Sequence, residues 1–242
     1  MKQLIKKILP ECMINFLRII LCRKYKRSYS QSGEDMIINN ILCGVKKGFY
    51  VDIGANNPWI QSNTMFFYEK GWTGINVDAT PGSMKVFRKL RKRDINLEFA
   101  ISDVEEKLKL FMYQSPFFNR LKENKAESNT NKLINVKELK TVTLEWVFDK
   151  YAQGKNIDFL SVDTEGFDFN VLKSNNWEKY RPKVVIIEVH APVYYCHFKE
   201  TEMGQFLEKK SYTFYCNTNC NLFFLENTFM KERCSQVASL NK

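Results

Sequence analysis

The sequence predicts an α/β fold with a doubly wound, mostly parallel sheet. Short apolar runs alternate with segments of helical periodicity along most of the chain. The first run, residues 49–53, ends at Gly54. Ser62, Asn63 and Thr64 then supply N-cap residues for a helix beginning near Met65. A strand, a glycine turn and a helix form the first half of a βαβ nucleotide-binding unit.

The remaining elements follow from the same alternation. Five sheet strands are predicted at residues 49–53, 74–78, 96–101, 157–162 and 183–189, with a further strand at 107–113. Helices are predicted at 30–42 (entered through Ser32), 65–70, 81–90, 144–151, 167–173 and 201–210. Residues 212–215 and 222–225 predict a terminal antiparallel hairpin. The basic run 88–93 is interpreted as a solvated helix end, and the aperiodic stretch 114–136 as a variable substrate loop.

Charge divides the chain into two parts. Of the net charge of +10, residues 1–27 contribute +7, from eight basic residues and one acidic residue. The rest of the chain, residues 28–242, is therefore near neutral, which argues against nucleic-acid binding. Residues 1–27 predict a basic amphipathic helix, which either lies on an anionic membrane or packs on the body or a second subunit. Seven cysteines without a C-x-x-C pair indicate reduced thiols and a cytoplasmic location, with the inner face of the membrane as the alternative.

The turn after the first strand favours a ligand that carries an amine. It lacks the three glycines of the dinucleotide fingerprint, and Asp52 stands two residues before its single Gly54. An acidic turn repels phosphate and suits the methionine amine of S-adenosylmethionine. Asp78 ends the second strand, where an acid can accept hydrogen bonds from ribose hydroxyls.

Six short motifs occur in one order along residues 28–190. They are Ser30 to Asp35, Gly48 to Asn56, Ser62 to Thr64, Gly71 to Gly74, Val162 to Gly166 and Val185 to Glu188. With these motifs the chain resembles the FkbM-type family of S-adenosylmethionine-dependent methyltransferases. The resemblance implies a class I methyltransferase (Rossmann-like) fold for residues 28–242, with a seven-stranded sheet and a C-terminal antiparallel hairpin. It also implies O-methylation, usually of a sugar or polyketide hydroxyl.

The candidate cofactor residues follow from the turn and from these motifs. Asp52, Gly54 and Asp78 are predicted from the residues themselves, whereas the resemblance suggests that Gln31 closes over the cofactor. In folds of this kind the residues after the third strand lie beside the adenine. The full set of predicted cofactor-binding residues is Gln31, Asp52, Gly54, Asn56, Ser62, Asn63, Thr64, Asp78, Ser102 and Asp103.

Catalytic candidates cluster where the fourth and fifth strands end. Asp163, Glu165 and Asp168 follow the fourth strand, and Glu188 and His190 end the fifth. Asp163, Glu188 and His190 are predicted as ligands of Mg²⁺ or Mn²⁺, which prefer oxygen donors. The alternative is metal-free, with His190 as general base and a carboxylate orienting it. Glu165 and Asp168 rank lower, because Glu165 could instead cap the following helix and Asp168 is a natural first-turn acid. Arg120, Tyr194 and His197 are the predicted substrate contacts.

The leading hypothesis is therefore methyl transfer to a sugar hydroxyl, assisted by a divalent metal. The acceptor would be a nucleotide-activated sugar or a unit of a surface polysaccharide such as a capsule. The alternative is an inactive membrane-surface scaffold in glycan assembly, favoured by the basic N-terminal segment. An NAD-dependent oxidoreductase is disfavoured by the missing glycine fingerprint.

Overall fold

A computed structural model describes residues 28–121, 131–189 and 201–240, with side chains as far as residue 235. The predicted segment 1–27 lies outside these residues. None of the helices in the described ranges is both long and apolar enough to cross a membrane.

The main sheet has seven strands, and it confirms the predicted fold class. Its strands are β1 (Phe49–Ile53), β2 (Thr73–Val77), β3 (Ile95–Leu97), β7 (Phe159–Val162), β8 (Val184–Glu188), β9 (Tyr212–Asn217) and β10 (Asn221–Glu226). The spatial order is β3-β2-β1-β7-β8-β10-β9, and β10 pairs antiparallel with both β8 and β9 while the other pairs are parallel. The strand order reverses between β1 and β7, which is the switch point where such sheets bind ligands.

Helices cover both faces of this sheet. They are α1 (Glu34–Ile41), α2 (Met65–Glu69), α3 (Met84–Leu90), α4 (Leu144–Tyr151), α5 (Asp168–Lys173), α6 (Glu202–Lys209) and α7 (Asn227–Leu240). One buried cluster joins β1, β7 and β8 to α4 and α5, and another joins the opposite strand faces to α1 and Phe67 of α2. All five residues of β1 are buried, because both faces of a central parallel strand are covered.

Three of these helices show how well their ends could be predicted. Thr143 accepts a hydrogen bond from Trp146 N and begins α4, as its N-cap position predicts. The prediction for α1 was wrong at its start, since Gly33, with φ of 86°, precedes it instead of Ser32. Helix α3 begins at Met84, three residues after Pro81, because residues 80–83 form a turn.

A second, three-stranded sheet was not predicted. It comprises β4 (Ala100–Ile101), β5 (Lys107–Tyr113) and β6 (Leu133–Val142), in the order β4-β6-β5. The predicted strand 96–101 is thus two strands, of which β4 leaves the main sheet to pair with β6. The predicted loop 114–136 was also wrong at its end, where residues 133–136 pair antiparallel with β5. Residues 134–138 are all exposed, so this part of the strand carries no burial alternation to reveal it.

Candidate functional site

A cavity of about 480 Å³ opens at the carboxyl ends of β1, β2, β7 and β8. Its volume falls in the range usual for small-molecule sites. It lies at the switch point between β1 and β7, so the cavity is where the topology predicts a ligand. The predicted site residues that line it are Gln31, Asp52, Gly54, Asn56, Asn63, Asp78, Arg120, Asp163, Glu165 and Glu188.

Gly54 allows the β1 turn to approach β7 closely. Its φ is 85°, and its N–H donates to the Val77 carbonyl at 2.9 Å. A Cβ at this position would lie 1.6 Å from the carbonyl oxygen of Asp163. Only glycine fits here. The close approach brings the acids at the ends of β1 and β2 into one cavity with the acids after β7.

Asp52 is buried and held by two hydroxyl groups. Thr64 Oγ1 donates to its Oδ2 at 3.0 Å, and Ser161 supplies a second side-chain hydrogen bond. Asn63 Nδ2 in turn donates to Ser161 Oγ at 3.0 Å. Burial raises the pKa of Asp52 to about 6, and the Thr64 hydrogen bond and the charge of Arg91 limit the rise. The carboxylate is therefore poised to gain from a cationic ligand.

Asp78 directly follows β2 and orders the loops on either side of it. Its Oδ2 accepts from Asn56 N at 3.1 Å, and its Oδ1 accepts from Thr80 N at 2.7 Å. Burial raises the pKa of this carboxyl as well. Asn56 adopts a left-handed backbone with φ of 44°, a conformation that often marks functional sites.

Three carboxylates meet on the β7–β8 side of the cavity. Oxygen atoms of Asp163, Glu165 and Glu188 lie within 4.8 Å of one another. Burial raises the pKa of Asp163 well above its usual range, and the charge of Glu188 raises it further. An all-oxygen set of this kind matches the ligands that Mg²⁺ and Mn²⁺ prefer.

Asp168 has a structural position instead. Its two carboxylate oxygens accept from Thr164 N at 2.8 Å and from Gly166 N at 3.1 Å, which fixes the loop between β7 and α5. Asp168 is thus the acid in the first turn of α5, as the sequence predicts. Glu165 does not cap the helix, because its side chain turns to the cavity and pairs with Arg120 at 2.8 Å.

Residues 115–121 form one wall of the cavity, the roof segment hereafter. A short 3₁₀ helix, Pro116–Phe118, begins it, and Phe111 and Arg120 exchange backbone hydrogen bonds. Asn119 Nδ2 donates to Thr80 Oγ1 at 3.0 Å, in the loop that follows β2. Arg120 reaches Glu165 on the other side, so the roof segment is fastened across both halves of the cavity.

The other predicted site residues lie elsewhere. Ser62 and Thr64 are buried beneath the loop, where Ser62 Oγ accepts from Met65 N at 3.1 Å. Ser102 is buried and Asp103 bonds Asn170 and Lys173, and neither lines the cavity. The Lys173 ammonium holds the pKa of Asp103 down to about 2. His190, Tyr194 and His197 lie outside the described residues.

Several cavity and support residues were not predicted. Phe99, Ile101 and Leu110 make an apolar wall, and Ser161 joins Asp52 to Asn63. Ser161 is the polar residue in the otherwise apolar run of β7, which is a signal that the sequence does carry. Arg91, interpreted as part of a solvated basic run, is fully buried beneath the loop 56–64.

The part of the cavity at the ends of β1 and β2, which contains Asp52, Gly54 and Asp78, is called the donor side. Its chemistry fits S-adenosylmethionine. Asp52 and Asp78 are acceptors suited to an amine and to ribose hydroxyls, and the apolar wall suits the flat face of an adenine.

Comparison with known proteins agrees with this architecture. A family model described as the Methyltransferase FkbM domain matches residues 52–214, which is more than half of the chain. No curated protein matches the chain. Methyltransferases of this kind typically use S-adenosylmethionine as the methyl donor. The matched region begins at Asp52 and includes the acids at the ends of β1 and β2 as well as those at the ends of β7 and β8. The chain therefore belongs to the FkbM methyltransferase family.

Proposed function

We propose that the protein is an S-adenosylmethionine-dependent O-methyltransferase that acts on a sugar hydroxyl. The acceptor is a nucleotide-activated sugar or a unit of a surface polysaccharide. One observation carries the proposal: a single cavity joins the Asp52–Gly54–Asp78 side to the cluster of Asp163, Glu165 and Glu188. Methyl transfer needs this division, because donor and acceptor must approach each other in line.

The donor would be held by the β1 and β2 ends. Asp52 would accept from its amine, Asp78 from its ribose hydroxyls, and Gln31 and Asn56 would line its path. Bound there, it supplies a methyl group on a positively charged sulfur. Burial raises the pKa of Asp52 and of Asp78, because it disfavours their charged forms. A cation bound beside these carboxylates would stabilise the charged forms.

The acceptor hydroxyl would be activated on the opposite side. A sugar hydroxyl holds its proton at neutral pH, so a base or a metal must act on it. Asp163 has a strongly raised pKa and is suited to take that proton. With Mg²⁺ or Mn²⁺ present, Asp163 and Glu188 would hold the ion and orient the hydroxyl, and Glu165 has an oxygen close to both. His190 remains the proposed third ligand or general base from outside the described residues.

Acceptor recognition would fall to the roof segment and to the stretch after β8. Arg120 lines the cavity and is the proposed contact to polar or anionic parts of the acceptor. Tyr194 and His197 are proposed walls for the sugar ring.

The test is transfer of a labelled methyl group from S-adenosylmethionine to a panel of monosaccharides, nucleotide sugars and oligosaccharides. We expect label in a base-stable ether on at least one sugar, and its loss in Asp163→Asn. Lys179→Met is the control, because Lys179 belongs to an exposed ion pair that does not line the cavity. Transfer to nitrogen or carboxyl acceptors in place of sugars would overturn the sugar assignment.

A further inference from the structure

A buried arginine lies directly beneath the donor side of the cavity. The Arg91 side chain has no exposed surface, and its Nε donates to Asp94 Oδ2 at 3.0 Å. Asp94 also accepts from the Tyr50 hydroxyl at 2.6 Å, so Arg91, Asp94 and Tyr50 form one buried network under β1. Arg91 Nη2 donates to the Tyr50 hydroxyl at 2.8 Å, which closes the network.

The other bonds of Arg91 point to the loop that lines the cavity. Its Nη1 donates to the Pro58 carbonyl at 3.0 Å, and its Nη2 donates to Thr64 Oγ1 at 2.9 Å. Thr64 Oγ1 in turn donates a hydrogen bond to Asp52 Oδ2 at 3.0 Å. The guanidinium is thereby linked through one hydroxyl to the acid at the end of β1.

This arrangement is costly if stability alone is considered. Taking a guanidinium and a carboxylate out of water is unfavourable, and apolar residues of similar volume often stabilise a protein as well or better. The planar fork of arginine instead fixes several partners at once, which neither lysine nor an apolar residue can do. Its partners here are the Pro58 carbonyl at one end of the loop 58–64 and, at the other end, the Thr64 hydroxyl that orients Asp52.

We propose that Arg91 is a positioning residue for the methyl donor, holding the loop 58–64 and, through Thr64, the carboxylate of Asp52. The inference rests on the proposed donor binding and goes beyond it, because Arg91 does not line the cavity. Without this network we expect the loop 58–64 to remain folded, but its position relative to the Asp52 carboxylate would no longer be fixed.

The relay hydroxyl offers the sharpest test. Thr64→Val removes the hydroxyl with little change of shape and leaves the Arg91–Asp94 pair in place, whereas Thr64→Ser keeps the hydroxyl. The charged groups that act on Asp52 are Arg91 and Asp94, and Ser161 supplies its other hydrogen bond. Losing the Thr64 bond therefore raises the pKa of Asp52, so donor binding should be lost at a higher pH.

The measurement is calorimetric titration of the full chain with S-adenosylmethionine between pH 5.5 and 8.5. We expect Thr64→Val to bind about tenfold more weakly at pH 7, as a lost hydrogen bond to a charged group implies. We also expect its acid-side loss of binding to move up by about one pH unit, while Thr64→Ser stays close to wild type. A merely structural hydroxyl would lower the unfolding temperature without moving that pH profile.

Arg91→Lys provides the second variant, since it keeps the charge beside Asp94 but cannot bond Pro58 and Thr64 together. It should shift the pH profile in the same direction. Wild-type affinity and pH profile in both folded variants would overturn the inference alone. Failure of the wild-type protein to bind S-adenosylmethionine would instead overturn the proposed function and, with it, this inference.

Discussion

Arg120 Nη2 lies 2.8 Å from Glu165 Oε2, and this ion pair spans the cavity between the roof segment and the loop after β7. The Arg120 side chain is 11% exposed and that of Glu165 is 26% exposed, so water screens the pair less than a surface pair. Glu165 has a left-handed backbone with φ of 53°, which turns its side chain toward the roof. The pair therefore holds the roof segment at a fixed distance from the acids that would activate the acceptor.

The first prediction concerns this pair. Arg120→Met should raise the acceptor KM about tenfold, because the roof loses its charged contact. Lys107→Met is the matched control, since Lys107 of β5 and Glu138 of β6 form an ion pair at 2.9 Å that is largely exposed. Steady-state kinetics with both variants is the measurement. Equal acceptor KM values in the two variants would remove Arg120 from acceptor binding.

The second prediction concerns the glycine turn. Gly54→Ala should abolish donor binding and destabilise the fold by several kcal/mol, because its Cβ would collide with the Asp163 carbonyl. Gly44→Ala is the control, since Gly44 also has a positive φ, of 95°, but an added Cβ there meets nothing within 4 Å. It should cost about 1–2 kcal/mol and leave donor binding intact. Similar unfolding curves for the two variants would contradict the close approach of β1 to β7.

The third prediction is a pH dependence of stability. The pKa of Asp52 is about 6 in the folded chain, whereas the ordinary value for an aspartate is 3.8. Between these two pH values the folded protein therefore binds more protons than the unfolded chain does. The free energy of unfolding should therefore fall as pH rises from about 4 to 6, by up to about 3 kcal/mol from this group. Asp52→Asn removes that contribution. Denaturant unfolding across this window should show a flatter profile in the variant, and parallel profiles would refute the buried carboxyl.

The fourth prediction separates the two ways to activate the hydroxyl. Dialysis against a chelator should abolish turnover, and Mg²⁺ or Mn²⁺ should restore it, because Asp163, Glu165 and Glu188 offer an oxygen cluster. Glu188→Gln should raise the metal concentration needed for half-maximal activity. Full turnover in chelator would leave the metal-free route, with Asp163 or His190 taking the proton.

The sequence predicted the donor half of the site more fully than the acceptor half. Asp52, Gly54 and Asp78 could be placed because they end apolar strands, and parallel strands bring their carboxyl ends to one edge. Asp163 and Glu188 came from the same reasoning. Each of these five residues lines the cavity.

What could not be predicted depends on contacts between distant segments. The strand β6 could not be predicted from the sequence, because residues 134–138 are all exposed and show no alternation of buried and exposed positions. Arg91 sits in a basic run that is indistinguishable from a solvated helix end until Asp94, Tyr50 and Thr64 converge on it. The Arg120–Glu165 pair joins residues 45 positions apart, and only the fold brings them together.

The central claim is that the cavity at the β1–β7 switch point binds an amine-bearing methyl donor through Asp52 and Asp78. Calorimetry of the full chain with S-adenosylmethionine tests it most directly, with Asp78→Asn and the exposed-pair variant Lys179→Met alongside. We expect binding at one site per chain, a loss of at least about tenfold in Asp78→Asn, and wild-type affinity in Lys179→Met. No heat of binding in the wild-type protein, or equal affinity in Asp78→Asn, would contradict the account.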